Sequence, residues 1–285
     1  MYAPSQIALA ENEFELRFND DGSVASRYQL VDVRGELELP IGFSVGDVFH
    51  REASIAPMTG IEEDMLTGDH GDPMIRIVAS CVTRLGPIEV RYDDRSTETR
   101  RSMLEAVKKL TIADITFLLF AIRRRSFVTG NDYKFSVLCR NKRCKNRQHN
   151  HRVDLGSLNI RPAPSNVARI YEYRLPVTGK VVRFGMPGSN DIDRLIALQK
   201  QHEEDRASVE LYASIIDVDG AKLKSYLDTK MWPLDDRDSL RGEMSDKVNY
   251  GIDVKVDVAD CPGCGSTMEV GIDIKPGFFR PTLSR

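Results

Sequence analysis

The sequence predicts an α+β protein in which a small helical region is joined to β-hairpins and an extended N-terminal arm. Three patterns carry this expectation. Apolar and polar residues alternate in Phe14-Glu-Leu-Arg-Phe18 and in Glu36-Leu-Glu-Leu-Pro40, the period of a strand. Ile115, Leu118, Leu119 and Ile122 recur at helical spacing behind Thr111. Two cysteine pairs, Cys139 with Cys144 and Cys261 with Cys264, each lie between strand-like runs.

In chain order, residues 1–58 read as an N-terminal arm and strands. Asn19-Asp20-Asp21-Gly22 is a turn signal, and Gly42 and Gly46 interrupt the regular pattern. Little here suggests an independent core, so an arm that packs on a neighbour is expected. Residues 59–130 read as a helical domain. Thr59-Gly-Ile-Glu62 fits a capping box, and Glu62, Glu63 and Asp64 suit the positive end of a helix dipole. The same carboxylates could serve a metal or acid–base site, but an acidic helix start is the simpler reading. Pro73 to Leu85 is apolar, helix or strand, and residues 91–101 are polar enough for a loop. The next helix begins near Thr111, carries Arg123, Arg124 and Arg125 in its last turn, and ends around Gly130.

Residues 159–249 read as an α/β insert between the cysteine pairs. Val167 to Leu175 and Lys180 to Phe184 pair as a hairpin around Gly179. Asn190 or Asp191 is placed to cap a helix running to about Asp205, and Val209 to Ile216 is expected to continue helically until Gly220. Asp235 and Asp236 start one more short helix.

Residues 131–158 and 250–281 form a weak internal repeat of strand, cysteine pair, strand. In Cys261-Pro-Gly-Cys264-Gly265, two intervening residues let both thiolates face one ion, and Gly265 tolerates positive φ. Cys139-Arg-Asn-Lys-Arg-Cys144 is a looser knuckle. Together the four cysteines predict a split zinc ribbon holding one structural Zn2+, closed by four sulfurs and so without an open catalytic position. His149 or His151 is an alternative ligand to Cys144. Two disulfides would need an oxidising compartment, for which no secretion signal speaks. The fifth cysteine, Cys81, sits in an apolar run and reads as a small core residue.

Composition narrows the function classes. The chain has 285 residues, 41% hydrophobic and 29% charged, as in ordinary globular proteins, with a net charge of −3. That balance gives no general attraction to nucleic acid or anionic membranes. Locally, Arg140, Lys142, Arg143, Lys145, Arg147 and Arg152 form a basic cluster that could meet phosphates, though no stacking aromatics accompany it. The most apolar stretch, Ile112 to Ile122, is broken by Asp114 and falls short of the roughly 20 residues needed to span a bilayer. No phosphate-binding glycine loop, nucleophile elbow or His-Glu-x-x-His pattern occurs, so no catalytic residue and no enzyme activity are predicted. His50, His70 and His202 are scattered. Asp217, Asp219 and Gly220 lack the glutamate that a calcium loop needs at its twelfth position, where Asp228 stands.

The order of segments carries a resemblance. Leu39-Pro40 with Gly42 precedes Ala56-Pro-Met-Thr-Gly-Ile-Glu-Glu-Asp-Met-Leu66. Leu110-Thr-Ile-Ala-Asp114 then leads to Phe135-Ser-Val-Leu-Cys139, Cys261-Pro-Gly-Cys264 and Ile274-Lys-Pro-Gly-Phe-Phe-Arg-Pro281. This resembles the T4-like baseplate hub protein family of contractile-tailed bacteriophages. The four-residue spacing in the first knuckle departs from a plain Cys-x-x-Cys. The resemblance implies a structural protein of the virion tail, assembled in the host cytoplasm, with no reaction of its own. Its partners would be other baseplate, hub and tail-tube proteins, with further copies of itself among them. Phe278 and Phe279, costly to leave in water, are expected either to contact such a partner or to dock on the protein's own core. Two alternatives stand beside this reading, a nucleic-acid-binding zinc-ribbon protein and a tail assembly chaperone absent from the mature virion.

Overall fold

A computed structural model describes residues 35–279 apart from 67–72, 92–96, 128–130, 140, 142, 145–147, 166, 187, 189–197, 200, 259–260, 262, 267, 273 and 275. Expectations for residues 1–34, for the Asn190 and Asp191 caps and for the Gly130 helix end lie outside the described residues.

The main sheet is antiparallel and runs β1 (Glu36–Val45), β2 (Val48–Ile55), β3 (Val82–Leu85), β4 (Ile88–Glu89). In β1 the alternation works as the sequence implies. Leu37 and Leu39 face the core while Glu36 and Glu38 face water. The pairing with β2 then shifts between Glu38 and Phe43, where Leu39, Pro40, Ile41 and Gly42 are buried in succession. Proline has no N–H to give to a ladder, and Gly42 has φ 88, so this is the natural place for an irregularity. A Cβ at Gly42 would collide with the His50 carbonyl oxygen.

Buried irregular backbone needs partners for its polar groups. Arg51 donates from Nε to the Leu39 carbonyl (3.1 Å) and from Nη2 to the carbonyls of Pro40 and of Ala163, the latter at 2.8 Å. Arg169 donates to the Gly42 carbonyl. The N–H groups of Ile41 and Gly42 donate to Asp114.

Asp114 is the third residue of α4 (Ile112–Ser126), whose N-cap is Thr111 as predicted. Its carboxylate therefore fastens α4 to the break in β1. Burial pushes its carboxyl above the ordinary range, against the pull of the Ile41, Thr111 and Gly42 bonds. Ile115, Phe117, Leu118, Phe120 and Ile122 of α4 pack with Leu39, Phe43, Ile77, Val82, Leu85 and Met103 in the larger core. Residues 36–55, read as part of an arm and strands, are thus half of the main sheet and share its core with the helices of 59–130.

The remaining elements of this lobe are α1 (Gly60–Met65), α2 (Pro73–Cys81) and α3 (Thr97–Val107). The Thr59 capping box forms as predicted. Glu62 is fully buried, accepting from the Thr59 N–H at 2.8 Å and from the Ser80 hydroxyl at 2.5 Å. The apolar run from Pro73 is both helix and strand, since α2 passes into β3 without a loop. The loop expected over 91–101 gives way to α3 at Thr97, because Met103, Ala106 and Val107 bury one face of a helix there.

The second lobe has its own core of Leu175, Val182, Phe184, Leu211, Val218, Trp232, Leu240 and Met244. Its sheet is ordered β10 (Ile215–Val218), β9 (Val181–Gly185), β8 (Ile170–Arg174), all antiparallel. Leu211 of α5 (Arg206–Ser214) and Leu240 and Met244 of α7 (Leu234–Val248) share that core, and α6 (Tyr226–Lys230) packs against α5. The helix read through Ile216 stops at Ser214, because Ile215 to Val218 pair with Phe184, Arg183 and Val182 instead. The short helix read at Asp235 runs for 15 residues. Asp236, again the third residue of its helix, accepts from the N–H groups of Val177 (2.7 Å) and Thr178 (3.1 Å) in the β8–β9 turn. Both lobes thus use a first-turn aspartate to hold two successive backbone N–H groups. Asp217 is paired with Arg183, and Asp219 accepts from the Val181 N–H, so neither is arranged as a calcium ligand.

β7 (Ile160–Arg161) pairs with β11 (Gly251–Ile252), and Ile160 and Ile252 are buried in the larger core. No described helix is long and apolar enough to cross a membrane.

Candidate metal centre

Beyond the β7–β11 pair lie two hairpins. β5 (Asp132–Leu138) pairs with β6 (Gln148–Asp154), and β12 (Lys255–Val258) with β13 (Met268–Gly271), both antiparallel. The repeat of strand, cysteine pair, strand is present as read. Each hairpin offers its two thiols at the end away from the register-matched strands.

The turn chemistry aims the sulfurs. In the second knuckle the Cys261 N–H donates to the Ser266 carbonyl (2.9 Å), while the Cys261 carbonyl accepts from Cys264 (3.2 Å) and Gly265 (2.7 Å). Gly265 has φ 67, the left-handed conformation that glycine adopts without strain. In the first knuckle the Asn141 carbonyl accepts from the Cys144 N–H (2.9 Å), and its side-chain oxygen accepts from the Arg143 N–H (3.0 Å). Asn141 in this way folds a four-residue spacer into a turn that returns Cys144 to Cys139.

The four Sγ atoms of Cys139, Cys144, Cys261 and Cys264 all lie within 4.8 Å of one another. The Cys139–Cys264 separation is 3.6 Å and the Cys144–Cys261 separation is 3.7 Å. Both join the two hairpins, across 125 and 117 residues of chain. A disulfide would need about 2.05 Å. By contrast, a tetrahedron with metal–sulfur bonds of about 2.3 Å has edges of about 3.8 Å. The cluster fits a single metal ion with four thiolate ligands and a structural role. Cys139, Cys144 and Cys261 are buried and Cys264 is exposed. The Ser266 hydroxyl, 3.3 Å from Cys264 Sγ, and the Ser266 N–H hold that thiol down to about 6. Ser266 and Asn141 were not singled out in the sequence, although each stands next to a knuckle.

The side chains of His149 and His151 lie outside the described residues, as do Arg140, Lys142, Lys145 and Arg147. The four thiols supply a full tetrahedral set without a histidine. Of the basic cluster, Arg143 is exposed and Arg152 is paired with Asp132 at 2.6 Å. Cys81 is fully buried in the larger core, as read.

Phe278 and Phe279 are 1% and 2% exposed. They dock on the protein's own core. Phe278 packs on Phe120 and Tyr133 with ring centroids 4.9 and 5.3 Å away, and the Phe278 carbonyl accepts from Arg123. Arg123, in the last helical turn as read, is 1% exposed. It also donates to the Asp132 carbonyl at 3.0 Å and lies over the rings of Phe278 and Tyr133. Burial pushes its guanidinium pKa down, against the pull of the nearby Tyr133 and Asp132. One side chain of α4 thereby holds the start of the first hairpin and the chain that leaves the second. No family model, curated protein or solved structure matches this chain in the comparisons made.

Proposed function

We propose that the chain is a structural component of a contractile phage tail, placed in the baseplate or hub, and that one Zn2+ held by Cys139, Cys144, Cys261 and Cys264 stabilises it. The observation that carries the structural part is the meeting of four thiols from hairpins more than a hundred residues apart. Four soft thiolates in a tetrahedral set select zinc among the common divalent ions, and a closed sphere leaves no position for substrate. The bound ion would fix the two hairpins to each other and so fix the lobe between them.

The assignment to a tail rests on the resemblance. One of its most specific blocks, Met58 to Asp64, is the segment that builds the α1 capping box and the buried Glu62. Its ending, Ile274 to Pro281, includes the phenylalanines held by Arg123. The motifs are therefore supported as framework residues, consistent with a protein whose work is to present surfaces to other tail subunits. We assign the chain no reaction of its own.

Mass spectrometry of purified phage particles tests this reading. The chain is expected in mature particles at a fixed ratio to other baseplate proteins. Its presence in infected-cell lysates but absence from particles would replace the reading with an assembly chaperone. Its recovery on nucleic acid, with binding lost at high salt, would replace it with the nucleic-acid alternative.

A further inference from the structure

The second-lobe sheet ends on β8. In the order β10-β9-β8, no described strand pairs with its far side. The ladder to β9 fixes which backbone groups face that edge. Leu175 donates its N–H to the Lys180 carbonyl (2.9 Å) and the Arg169 carbonyl accepts from Met186 (3.3 Å), so the odd-numbered residues bond inward. Antiparallel bonding alternates, which directs the N–H and carbonyl groups of Ile170, Glu172 and Arg174 outward. The same three residues are exposed, Ile170 at 52%, while Tyr171 and Tyr173 pack on the core face. An edge of this kind is a template for another strand.

We propose that β8 pairs antiparallel with β8 of a second copy of this chain, about a two-fold axis at Tyr173, so that two three-stranded sheets become one. The edge is complementary to itself. With Tyr173 opposite its own copy, Glu172 falls opposite the second copy's Arg174, and Arg174 opposite the second copy's Glu172. Both are outward-bonding positions, so each of these opposite-charge pairs also exchanges backbone hydrogen bonds. Ile170 falls opposite Pro176, which is exposed too, and gains an apolar neighbour. On the core face Tyr171 falls opposite Leu175. A shift of one place sets core-face residues against outer-face ones. A shift of two places sets Glu172 against Glu172 or Arg174 against Arg174.

The outer face of the sheet extends the match. Asp217 of β10 stands opposite Arg183 of β9, with Arg183 Nε 2.9 Å from Asp217 Oδ2, and Arg183 stands opposite Glu172 of β8. The second copy's Arg174 in the next place continues the alternation of sign across the row. Arg174 gives one guanidinium N–H to the Gly179 carbonyl at 2.8 Å, and its fork carries others for a carboxylate. The contact is one short strand per copy, far below the about 1,600 Å² of a standard interface. The pairing is therefore weak in dilute solution and suits copies already gathered in an assembly. It stands whether or not that assembly is a phage tail.

Sedimentation of the full-length protein from about 10 to about 500 µM should show a monomer–dimer equilibrium with a Kd on the order of 100 µM. Across that range, hydrogen exchange in peptide 168–176 should slow by about threefold, as the edge amides become paired. Glu172→Lys and Arg174→Glu should each weaken the dimer at least about fivefold, because two pairs turn from opposite to like charge. An equimolar mixture of the two variants should regain the parent's dimer, since both cross-copy pairs are then opposite. Urea midpoints of the single variants check that each is folded. A parent that stays monomeric at about 500 µM overturns the proposal. So does protection of 168–176 that is independent of concentration, which assigns the edge to the chain's own residues. A dimer that neither variant weakens, or a mixture no better than its components, overturns it as well.

Discussion

Replacing Asp114 by alanine removes the two acceptor oxygens that hold the break in β1. The N–H groups of Ile41 and Gly42, now bonded at 2.8 and 3.2 Å, are left without partners in a buried segment. Each orphaned donor costs about 1–3 kcal/mol. Two effects offset part of this. Alanine is the better helix former by up to about 0.7 kcal/mol, and the burial of a carboxylate no longer has to be offset. The Thr111 hydroxyl still caps α4 through the N–H of residue 114. The net loss should be about 3 kcal/mol, a shift of about 1 M in a urea midpoint at a slope of about 3 kcal/mol/M. Asp114→Asn keeps one acceptor but turns an NH₂ toward a donor, and should lose about half as much. Urea unfolding followed by circular dichroism measures both. A loss below about 1 kcal/mol for Asp114→Ala, with an unchanged slope, would mean that the Pro40-Ile41-Gly42 backbone does not depend on this carboxylate.

Arg123→Met should cost about 2–4 kcal/mol by leaving the carbonyls of Phe278 and Asp132 unpaired, and limited proteolysis should cut the chain after Ile274 earlier than in the parent. Early cleavage without any stability loss would show that the C-terminal segment adds nothing to the fold. Burial raises the Glu62 pKa, but bonds from Ser80 and Thr59 outweigh it and leave the group below its ordinary 4.5. A depressed folded value means that Glu62 contributes stability above pH 4.5 and loses it as pH falls through the folded value. The Glu62→Gln variant should therefore show a flatter acid limb in thermal melts below pH 4.5. Cys81→Ala should leave metal content unchanged while costing about 1 kcal/mol of core packing, because Cys81 sits in the larger core and outside the four-thiol cluster.

Local chemistry was the legible part of the sequence. The Thr59 and Thr111 caps, the β8–β9 hairpin and the meeting of Cys261 and Cys264 in one thiol cluster each follow from residues a few positions apart, and all of them form. What escaped depends on distant partners. Nothing near Leu37 announces that β3, emerging from α2 without a turn, will complete its sheet. Ile215 and Ile216 continue an apolar helical pattern, and only the waiting edge of β9 makes them a strand. The helix-end rule places Arg123 in the last turn but is silent on its burial, which carbonyls 9 and 155 residues away satisfy. The cysteine cluster lies between these cases. Its ligands were named from spacing, while Asn141 and Ser266, which aim the sulfurs, carry no spacing signal.

The most direct measurement is the metal content of the full-length protein, purified without chelator and read by native mass spectrometry with elemental analysis. One Zn2+ per chain is predicted, lost in Cys261→Ser, with the protein of that variant unfolding at lower urea than the parent. Less than about half an equivalent of any metal in the parent, or a Cys261→Ser protein that keeps its ion and its stability, would contradict a four-thiol clamp between the two hairpins.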